Sequence, residues 1–597
     1  MKNIENPATM WKASKEIMDW KSASSPTLIE VNNVLITRAC EIAQFMNEFF
    51  INKVNKIRAE MRCLIPNLIG CRKIMQNKTA KISLKFVTVE KVRRLISGLS
   101  NSRSVSIDGL DNFAVKVAGP CIAKPLHHII TLSIMHRKFP TNWKIAKIIP
   151  LQKNVKLSAL DRKNYRPVAL LSPLSKILEK VIYEQLYNYF SGNKIFHPSL
   201  HGYRKFRSTQ TALLELYDKW VHASHTGYFS GSVLLDLSAA FDLVSHKLLL
   251  DKLKIYGLHT DFLEWIQSYM SGRYQSVWID HVYSRCLSCE VGVPQGSNLG
   301  PLFFLLFAND LPYQMNFDMV QYTDDSTLTV SGKTIAEIET KIERGCNLVN
   351  TWMRENQLKL NAEKTHLLVL GTEQRMNHLD SQLNVLMDGV NLNESEDRNE
   401  ILLGCWFQSN LKWAKHIKEL ESKLKKRLVG ISYLKYVLPF QERKLVADGL
   451  FNSVLSYCLP LFGGCNRNHV RDLQVLQNKV ARIVCHAPSF AHRRKLYDHL
   501  EWLTVRQLIQ YSTLVAVYRM RSSGEPECLA KILNRVNTRG SIIVQNTKLS
   551  LFQSSFRIRG ASDWNKLPKK LREARNIGQF KKLLKPWIRS NVPFFYD

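Results

Sequence analysis

Two adjacent carboxylates, Asp324 and Asp325, form the most chemically suggestive feature of this 597-residue sequence. β-prone residues precede them at Met319 and Val320 and follow them at residues 327–330. Two such runs around a polar tip predict a β-hairpin. Side-by-side carboxylates repel each other unless a cation lies between them. Mg²⁺ is typically held by one or two carboxylates together with substrate phosphates, so the tip is a candidate metal site for phosphate chemistry.

A further carboxylate is needed if two metal ions are to share such a site. The sequence offers Asp236, at the end of an apolar run that predicts a strand at residues 232–235. Taken alone, an Asp-Asp pair is also a common turn feature that water solvates. The functional interpretation therefore depends on the motifs that accompany the pair.

Composition indicates a polyanionic partner. Lysine and arginine number 84 against 50 aspartates and glutamates, which gives a net charge of +34. Nucleic acid is the simplest such partner, and the alternative is a basic surface without a specific role. An apolar content of 45% predicts a globular chain with a large core.

The 12 scattered cysteines favour a reducing intracellular compartment, nucleus and/or cytoplasm. No apolar run is long enough for a membrane span, and the first residues do not resemble a signal peptide. We therefore expect no membrane partner.

Basic residues precede the carboxylates on two predicted strands, at residues 143–153 and 164–172. Cations on adjacent strands can clamp a triphosphate. A basic loop at residues 201–209 opens a helix, and a glycine-rich loop at residues 292–301 opens an apolar helix. Beyond the hairpin, residues 361–365 precede a strand, and residues 402–407 predict one more short strand.

Helical periodicity dominates the last third of the chain. Ile417, Leu420, Leu424 and Leu428 form one apolar stripe, and basic residues alternate with it. The segment from Phe556 to Trp587 is strongly basic. This pattern predicts helices that could contact a nucleic-acid backbone.

In this order, the motifs at residues 164–172, 201–209, 232–242, 292–301, 322–325, 361–365 and 402–404 resemble those of reverse transcriptases. The residues within these motifs most resemble those of the non-LTR (LINE-type) retrotransposons of the jockey-like and chicken-repeat-like groups. Several motifs in order are far more specific than any one of them. The exact residues 235–242, including bulky Phe241, disfavour an RNA-dependent RNA polymerase or a group II intron maturase.

The resemblance implies an α+β fold of the right-hand polymerase type. Such a fold has fingers, a palm with an antiparallel sheet, and a helical thumb, here followed by a mostly helical C-terminal region. The implied regions are a helical N-terminal extension or linker (1–130), fingers and palm (131–404), the thumb (405–465) and a basic nucleic-acid-binding region (466–597).

The resemblance also implies roles for individual residues. Asp236, Asp324 and Asp325 would hold two Mg²⁺ ions, with Mn²⁺ as the alternative ion. Arg166 would contact the triphosphate, and Lys153 or its competitor Lys147 would supply a second cation.

On the same resemblance, Gln295 and Gly296 would border the nascent base pair. Lys364 would protonate the leaving pyrophosphate, unless it is an ordinary solvent lysine. Phe241 would lie under the incoming sugar and exclude a 2′-hydroxyl, unless it merely packs under the strand.

The expected partners are an RNA template, a DNA primer or target, and deoxynucleoside triphosphates. Phe206 stands where a small residue is usual, so we expect altered template contacts there. Relatives of this kind carry an apurinic-type endonuclease before the polymerase, and this sequence is expected to lack one. The expected function is RNA-directed DNA synthesis, and the alternative is a catalytically lapsed RNA-binding relic.

Overall fold

In the computed structural model, strands are concentrated in the middle of the chain and helices dominate both ends. The structure describes residues 25–594, apart from residues 32, 378–382, 384, 388, 393, 395, 396, 546 and 548. The predictions made for residues 1–24, the start of the N-terminal extension, lie outside this range.

The helices of the first two thirds are α1 (Ala39–Glu60), α2 (Ile69–Met75), α3 (Val89–Ser97), α4 (Asn112–Val117), α5 (Gly119–Met135), α6 (Pro173–Gly192), α7 (Thr209–His225), α8 (His246–Ile255), α9 (Thr260–Met270), α10 (Gly300–Phe307), α11 (Leu311–Gln314), α12 (Ile335–Glu355) and α13 (Glu373–Asn377).

The helices of the last third are α14 (Ala414–Tyr433), α15 (Phe440–Ala447), α16 (Ser453–Leu455), α17 (Leu459–Phe462), α18 (Arg467–Val484), α19 (Arg493–Leu500), α20 (Val505–Ser523), α21 (Glu527–Leu533), α22 (Ser550–Gln553), α23 (Phe556–Asn565), α24 (Lys569–Arg572) and α25 (Ile577–Asn591).

The strands are β1 (Ile29–Val31), β2 (Val34–Ile36), β3 (Ile145–Gln152), β4 (Tyr165–Leu170), β5 (Phe229–Leu235), β6 (Leu237–Ser238), β7 (Arg273–Ile279), β8 (Val282–Tyr283), β9 (Leu287–Cys289), β10 (Asp318–Tyr322), β11 (Asp325–Gly332), β12 (Lys359–Leu360), β13 (His366–Leu370), β14 (Val385–Met387), β15 (Val390–Leu392), β16 (Asn399–Leu402) and β17 (Cys405–Gln408).

A four-stranded antiparallel sheet holds the predicted carboxylates. Its strand order is β10-β11-β5-β13. Successive side chains of a strand point to opposite faces of a sheet. Accordingly, Leu367 and Val369 join the core formed with α12 and the N-terminal half, whereas Leu368 and Leu370 join the core of α7 and the C-terminal helices. Both faces of this sheet are therefore covered, and its strands bury small hydroxyl side chains such as Ser232, Thr327 and Thr329 as well as apolar ones.

A second sheet carries the predicted basic strands. Its order is β4-β3-β7-β8, and β9 pairs with β7 on the same edge as β8, opposite β3. Strands β3 and β4 are antiparallel, whereas β3 and β7 are parallel. Helix α1 packs on this sheet through Ile42, Met46 and Phe50. The basic strands predicted from residues 143–153 and 164–172 are thus confirmed as a neighbouring pair.

The single short strand predicted at residues 402–407 is wrong. The structure has an antiparallel hairpin there, in which Leu402 of β16 pairs with Cys405 of β17. Leu403 and Gly404 both have positive φ, 47° and 81°. Two consecutive residues in this conformation form the tight turn that suits a two-residue hairpin. Leu403 occupies the first turn position, and a leucine there does not indicate a turn in the sequence.

The helices of the proposed thumb share a core with those of the C-terminal region. Helix α14 packs against α18, and buried residues from Leu402 to Val592 form one continuous apolar cluster. Across the described residues, no helix combines the length and apolar character needed to cross a bilayer.

Candidate active site

The hairpin predicted around Asp324 and Asp325 is confirmed. Strands β10 and β11 are antiparallel, and Tyr322 pairs with Asp325. The turn consists of Thr323, with φ 61°, and Asp324. Both aspartates are exposed at the tip, because the two-residue turn ends the pairing there.

Asp236 lies beside this tip because β5 pairs with β11. Leu235 is opposite Ser326, so the next position along this register sets Asp236 beside Asp325. The backbone of Asp236 is held from the other side. Its carbonyl oxygen accepts a hydrogen bond from the Asn361 N–H (2.9 Å), and its N–H donates to Thr365 Oγ1 (3.4 Å). Two sheet neighbours therefore fix the position of this carboxylate.

The three carboxylates influence one another electrostatically. Burial, Asp324 and Asp236 together raise the pKa of Asp325 to about 6, although the side chain still reaches solvent. Burial also raises the pKa of Asp236, and Lys364 opposes this rise by attraction. Like charges this close disfavour full ionisation, and a bound cation would relieve the repulsion.

The donor set fits a hard divalent cation, since all three side chains offer carboxylate oxygens. Within the part of the chain that the structure describes, no three His, Cys, Asp or Glu side chains are gathered as a ready metal cluster. Mg²⁺ does not require such a cluster, because it keeps several waters and uses one or two carboxylates plus substrate phosphates. The raised pKa of Asp325, to which Asp324 and Asp236 contribute, is the observation that supports a divalent cation at these carboxylates.

The predicted cations lie on the side of Asp236. Lys153 directly follows β3, and its backbone N–H donates to the carbonyl of Asn164 (2.8 Å) at the start of β4. Burial lowers the pKa of Lys153, and the neighbouring charges of Lys53 and Lys364 lower it further. Lys364 also attracts Asp236, so its charge acts both on a cation of the basic strands and on one of the carboxylates.

Lys147, the competitor of Lys153, points elsewhere. Its ammonium lies 4.0 Å from the ring centre of Trp278, and the residue is buried. Arg166, on β4 opposite Leu151, is exposed. The geometry therefore favours Lys153 and Arg166 as the accessible pair.

The glycine-rich loop contacts both β4 and the segment after Asp236. Gln295 donates a hydrogen bond from Nε2 to Asp242 Oδ1 (2.7 Å). Gly296 has φ 91°, and a side chain there would begin 2.6 Å from the carbonyl oxygen of Ala169. Only glycine suits this combination of conformation and close approach.

Phe241 is partly buried and stacks on Phe304 of α10, with ring centres 4.6 Å apart and planes at 24°. Its backbone carbonyl accepts a hydrogen bond from Val293 N–H (2.9 Å). The ring is therefore packed on one side. This placement is compatible both with exclusion of a 2′-hydroxyl and with simple packing under the strand.

The basic loop at residues 201–209 lies along the catalytic hairpin. The carbonyl of Gln321 on β10 accepts a hydrogen bond from His201 N–H (2.7 Å), and Gln321 N–H donates to Ser199 (2.9 Å). Gly202 lies directly against Thr323. Tyr203 is close enough to Asp324 for that carboxylate, together with burial, to raise its pKa.

The arginines of this loop bind a carboxylate that the sequence did not reveal. Arg204 Nη2 and Arg207 Nε donate to the two oxygens of Glu525, at 3.2 and 2.9 Å. Arg207 Nη2 also donates to Glu525, and its Nη1 donates to the carbonyl of Pro198. Glu525 lies between α20 and α21, more than 300 residues further along the chain. No local pattern could have indicated this pair.

Comparison with known proteins finds similar sequences. Residues 151–407 match the family model described as "Reverse transcriptase (RNA-dependent DNA polymerase)". The chain is 25% identical, over 72% of its length, to the "Probable RNA-directed DNA polymerase from transposon BS" of Drosophila melanogaster, and covers 48% of that protein.

Two mobile-element proteins named "RNA-directed DNA polymerase from mobile element jockey" are similarly related. The one from Drosophila melanogaster is 25% identical over 76% of this chain and 49% of its own length. The one from Drosophila funebris is 26% identical over 75% of this chain and 49% of its own length. The chain thus spans about half the length of these curated relatives, and its residues 151–407 are similar to the reverse transcriptases of such mobile elements.

Proposed function

We propose that this chain is an RNA-directed DNA polymerase that copies a retrotransposon RNA into DNA. The observation that carries the proposal is the register of β5 against β11, which sets Asp236 beside Asp325 at the end of the sheet where the hairpin turn contains Asp324. The substrates would be an RNA template, a DNA primer or target and deoxynucleoside triphosphates, as the names of its relatives suggest.

In this proposal the β10-β11-β5-β13 sheet with α12 is the palm, and the β4-β3-β7 sheet with α1 belongs to the fingers. Helices α14–α17 form the thumb, followed by the C-terminal helices. A palm sheet between two cores would hold the carboxylates still while the nucleic acid moves past them.

Two Mg²⁺ ions held by Asp236, Asp324 and Asp325 would activate the primer 3′-hydroxyl and neutralise the charge of the triphosphate. The protein side chains bind the triphosphate, supply a proton and border the base pair. Lys153 and Arg166 hold the triphosphate oxygens, since both are exposed on the paired strands β3 and β4 or directly after them. Phosphoryl transfer needs mainly positioning and charge neutralisation, which such a set supplies.

The new bond joins the primer 3′-oxygen to the α-phosphorus, and the bond to pyrophosphate breaks. Lys364, which is close enough to Asp236 to oppose the rise in the pKa of that carboxylate, donates a proton to the departing pyrophosphate. Gln295, held by Asp242, and Gly296, held against β4, border the base pair that forms.

The test is primer extension by the purified chain on poly(rA)/oligo(dT) with Mg²⁺ or Mn²⁺. Incorporation of dTTP that is lost on Asp236→Asn, but retained on Asp251→Asn, supports the proposal; Asp251 is an exposed aspartate of α8. RNA binding without incorporation would identify the chain instead as a catalytically lapsed RNA-binding relic.

A further inference from the structure

A groove on the C-terminal helices presents unused hydrogen-bond donors. It consists of two concavities, of about 470 and 420 Å³, which share Arg494 and Phe594. We call their combined surface the C-terminal groove. It lies in the C-terminal region, at residues outside the motifs described above.

The charge of the C-terminal groove is strongly positive. Its lining includes four arginines and one histidine but a single acidic residue, Asp498; the basic residues are Arg482, His492, Arg493, Arg494 and Arg589. A concave surface with one sign of charge attracts ligands of the opposite sign.

Two buried donors in the groove have no hydrogen-bond partner. One is the Nε–H of Arg482, which lines the first concavity, and the other is the indole N–H of Trp502, which lines the second. The Trp502 side chain is well buried, with 8% of the residue exposed. A buried donor without a partner costs free energy, so both positions favour a ligand with acceptor oxygens. Phosphate oxygens meet that requirement.

The loop between α18 and α19 carries an aromatic ring at the rim of the groove. Phe490 is 88% exposed. It occupies the third position of a turn closed by a hydrogen bond from Ala491 N–H to the Pro488 carbonyl (3.1 Å). The same loop begins at His486, whose ring contacts Tyr436, another strongly exposed aromatic residue. Exposed rings beside arginines are the pattern on which unpaired bases stack.

We propose that the C-terminal groove binds single-stranded nucleic acid, with backbone phosphates on its arginines and an unpaired base stacked on Phe490. A duplex does not suit the groove, because its bases are already stacked on each other and their faces are closed to Phe490. The inference does not depend on polymerase activity, and its test uses binding alone.

The first experiment titrates a fluorescent 12-nucleotide RNA or DNA strand with the full chain, and follows anisotropy at several salt concentrations. Stacking on an aromatic ring is sequence-tolerant and lost on substitution by alanine. We therefore expect Phe490→Ala to weaken binding about tenfold without changing the salt dependence. Phe490→Trp should restore the affinity, whereas Phe490→Leu should not. Phe86→Ala, which removes another well-exposed ring far away in sequence, is the control and should have no effect.

The second variant, Arg482→Gln/Arg494→Gln, should reduce the slope of log K against log salt by about 1.4, at about 0.7 per phosphate contact on a single strand. Its matched control, Lys81→Gln/Lys124→Gln, removes two exposed charges from the N-terminal half and should leave the slope unchanged. The RNA and DNA arms distinguish which strand the groove prefers, and a clear preference of either kind supports the proposal.

The third experiment maps contact directly. An oligonucleotide containing 5-iodouridine is irradiated on the full chain, and the adduct is located by mass spectrometry. An adduct at Phe490, found also in the Asp324→Asn variant, supports the proposal even if the chain does not synthesise DNA. Binding by Phe490→Ala within twofold of wild type, a preference for duplex over single strands, or adducts exclusively elsewhere would overturn it.

Discussion

Gly202 lies so close to Thr323 that a methyl group on Gly202 would come within 2.6 Å of the Thr323 backbone nitrogen. Through this contact, the basic loop packs directly against the turn that contains Asp324. We expect Gly202→Ala to displace this turn, lowering primer extension at least tenfold and stability by about 1–3 kcal/mol. Extension rates and thermal unfolding measure the two effects. Gly192→Ala is the control, because nothing lies within 4 Å of a methyl group there. Normal activity of Gly202→Ala would show that the turn tolerates displacement.

Asp324 should be required for synthesis but not for RNA binding. Its exposed carboxylate is the proposed metal ligand, whereas the net charge of +34 is the proposed attraction for the nucleic-acid backbone. We expect Asp324→Asn to abolish primer extension while the RNA dissociation constant changes less than about threefold. Both are measured on the same preparation, with Asp251→Asn in parallel. If Asp324→Asn extends primers at nearly the wild-type rate, the metal assignment is wrong.

Phe241 should control the choice of sugar. A ring in that position creates a clash with a 2′-hydroxyl, so discrimination comes from repulsion. We expect Phe241→Val to raise the kcat/KM for UTP relative to that for dTTP while much dTTP activity remains. The control is Phe303→Val, which truncates a fully buried ring of the same helix as Phe304. An unchanged ratio with both rates reduced would leave only the packing role.

The basic surface of the last helices should contribute to salt-dependent binding. Lys569, Lys570 and Lys582 are exposed, but Leu571, Phe580 and Leu584 beside them are buried in the C-terminal core. Deleting the segment from Phe556 onward would therefore damage the fold, and charge removal is the cleaner change. We expect glutamine at all three lysines to reduce the salt slope of RNA binding by about 2.

The control for this charge removal is the triple variant Lys81→Gln/Lys85→Gln/Lys124→Gln, which removes the same charge from the N-terminal half. Equal slopes for the two triple variants would exclude the last helices from the nucleic-acid surface.

A buried pair behind the basic loop should make the protein sensitive to acid. His201 Nε2 contacts Glu215 at 3.1 Å, and both residues are buried. Burial lowers the pKa of His201. Burial alone would raise the pKa of Glu215, but His201 and Lys219 lower it to about 2. Both values lie below those of the unfolded chain, which therefore binds more protons, so stability is lost as the pH falls from about 6.5 towards 2.

We expect Glu215→Gln to lower the free energy of unfolding at pH 7, because it leaves the pair incomplete. The gap between variant and wild type should shrink as the pH falls from about 5 to 3, since the wild-type carboxylate then loses its advantage. Urea unfolding over this pH range measures the gap, with Glu90→Gln as the exposed control. A gap independent of pH would show that Glu215 does not titrate in this range.

The placement of the three carboxylates could be predicted from the sequence because its signals are local. The carboxylates follow apolar strands, and the polar pair between two β-prone runs indicates a hairpin. The sequence does not predict the turn at Leu403 and Gly404, because leucine rarely adopts the positive φ that the turn requires. Arg204 and Arg207 read as free cations in the sequence, since their partner Glu525 is brought to them only by the tertiary fold.

The bond between Arg207 and Glu525 has a consequence for the timing of synthesis on the ribosome. The loop that braces the catalytic turn is made about 300 residues before the carboxylate that neutralises it. At about 5–20 residues per second, this interval lasts on the order of 15–60 s. During that interval the nascent chain carries an unbraced turn, so a ribosome that stops before residue 525 releases a protein with its carboxylates in place but its loop unsecured. Such a product would contain Asp236, Asp324 and Asp325 but lack the carboxylate that Arg204 and Arg207 bind.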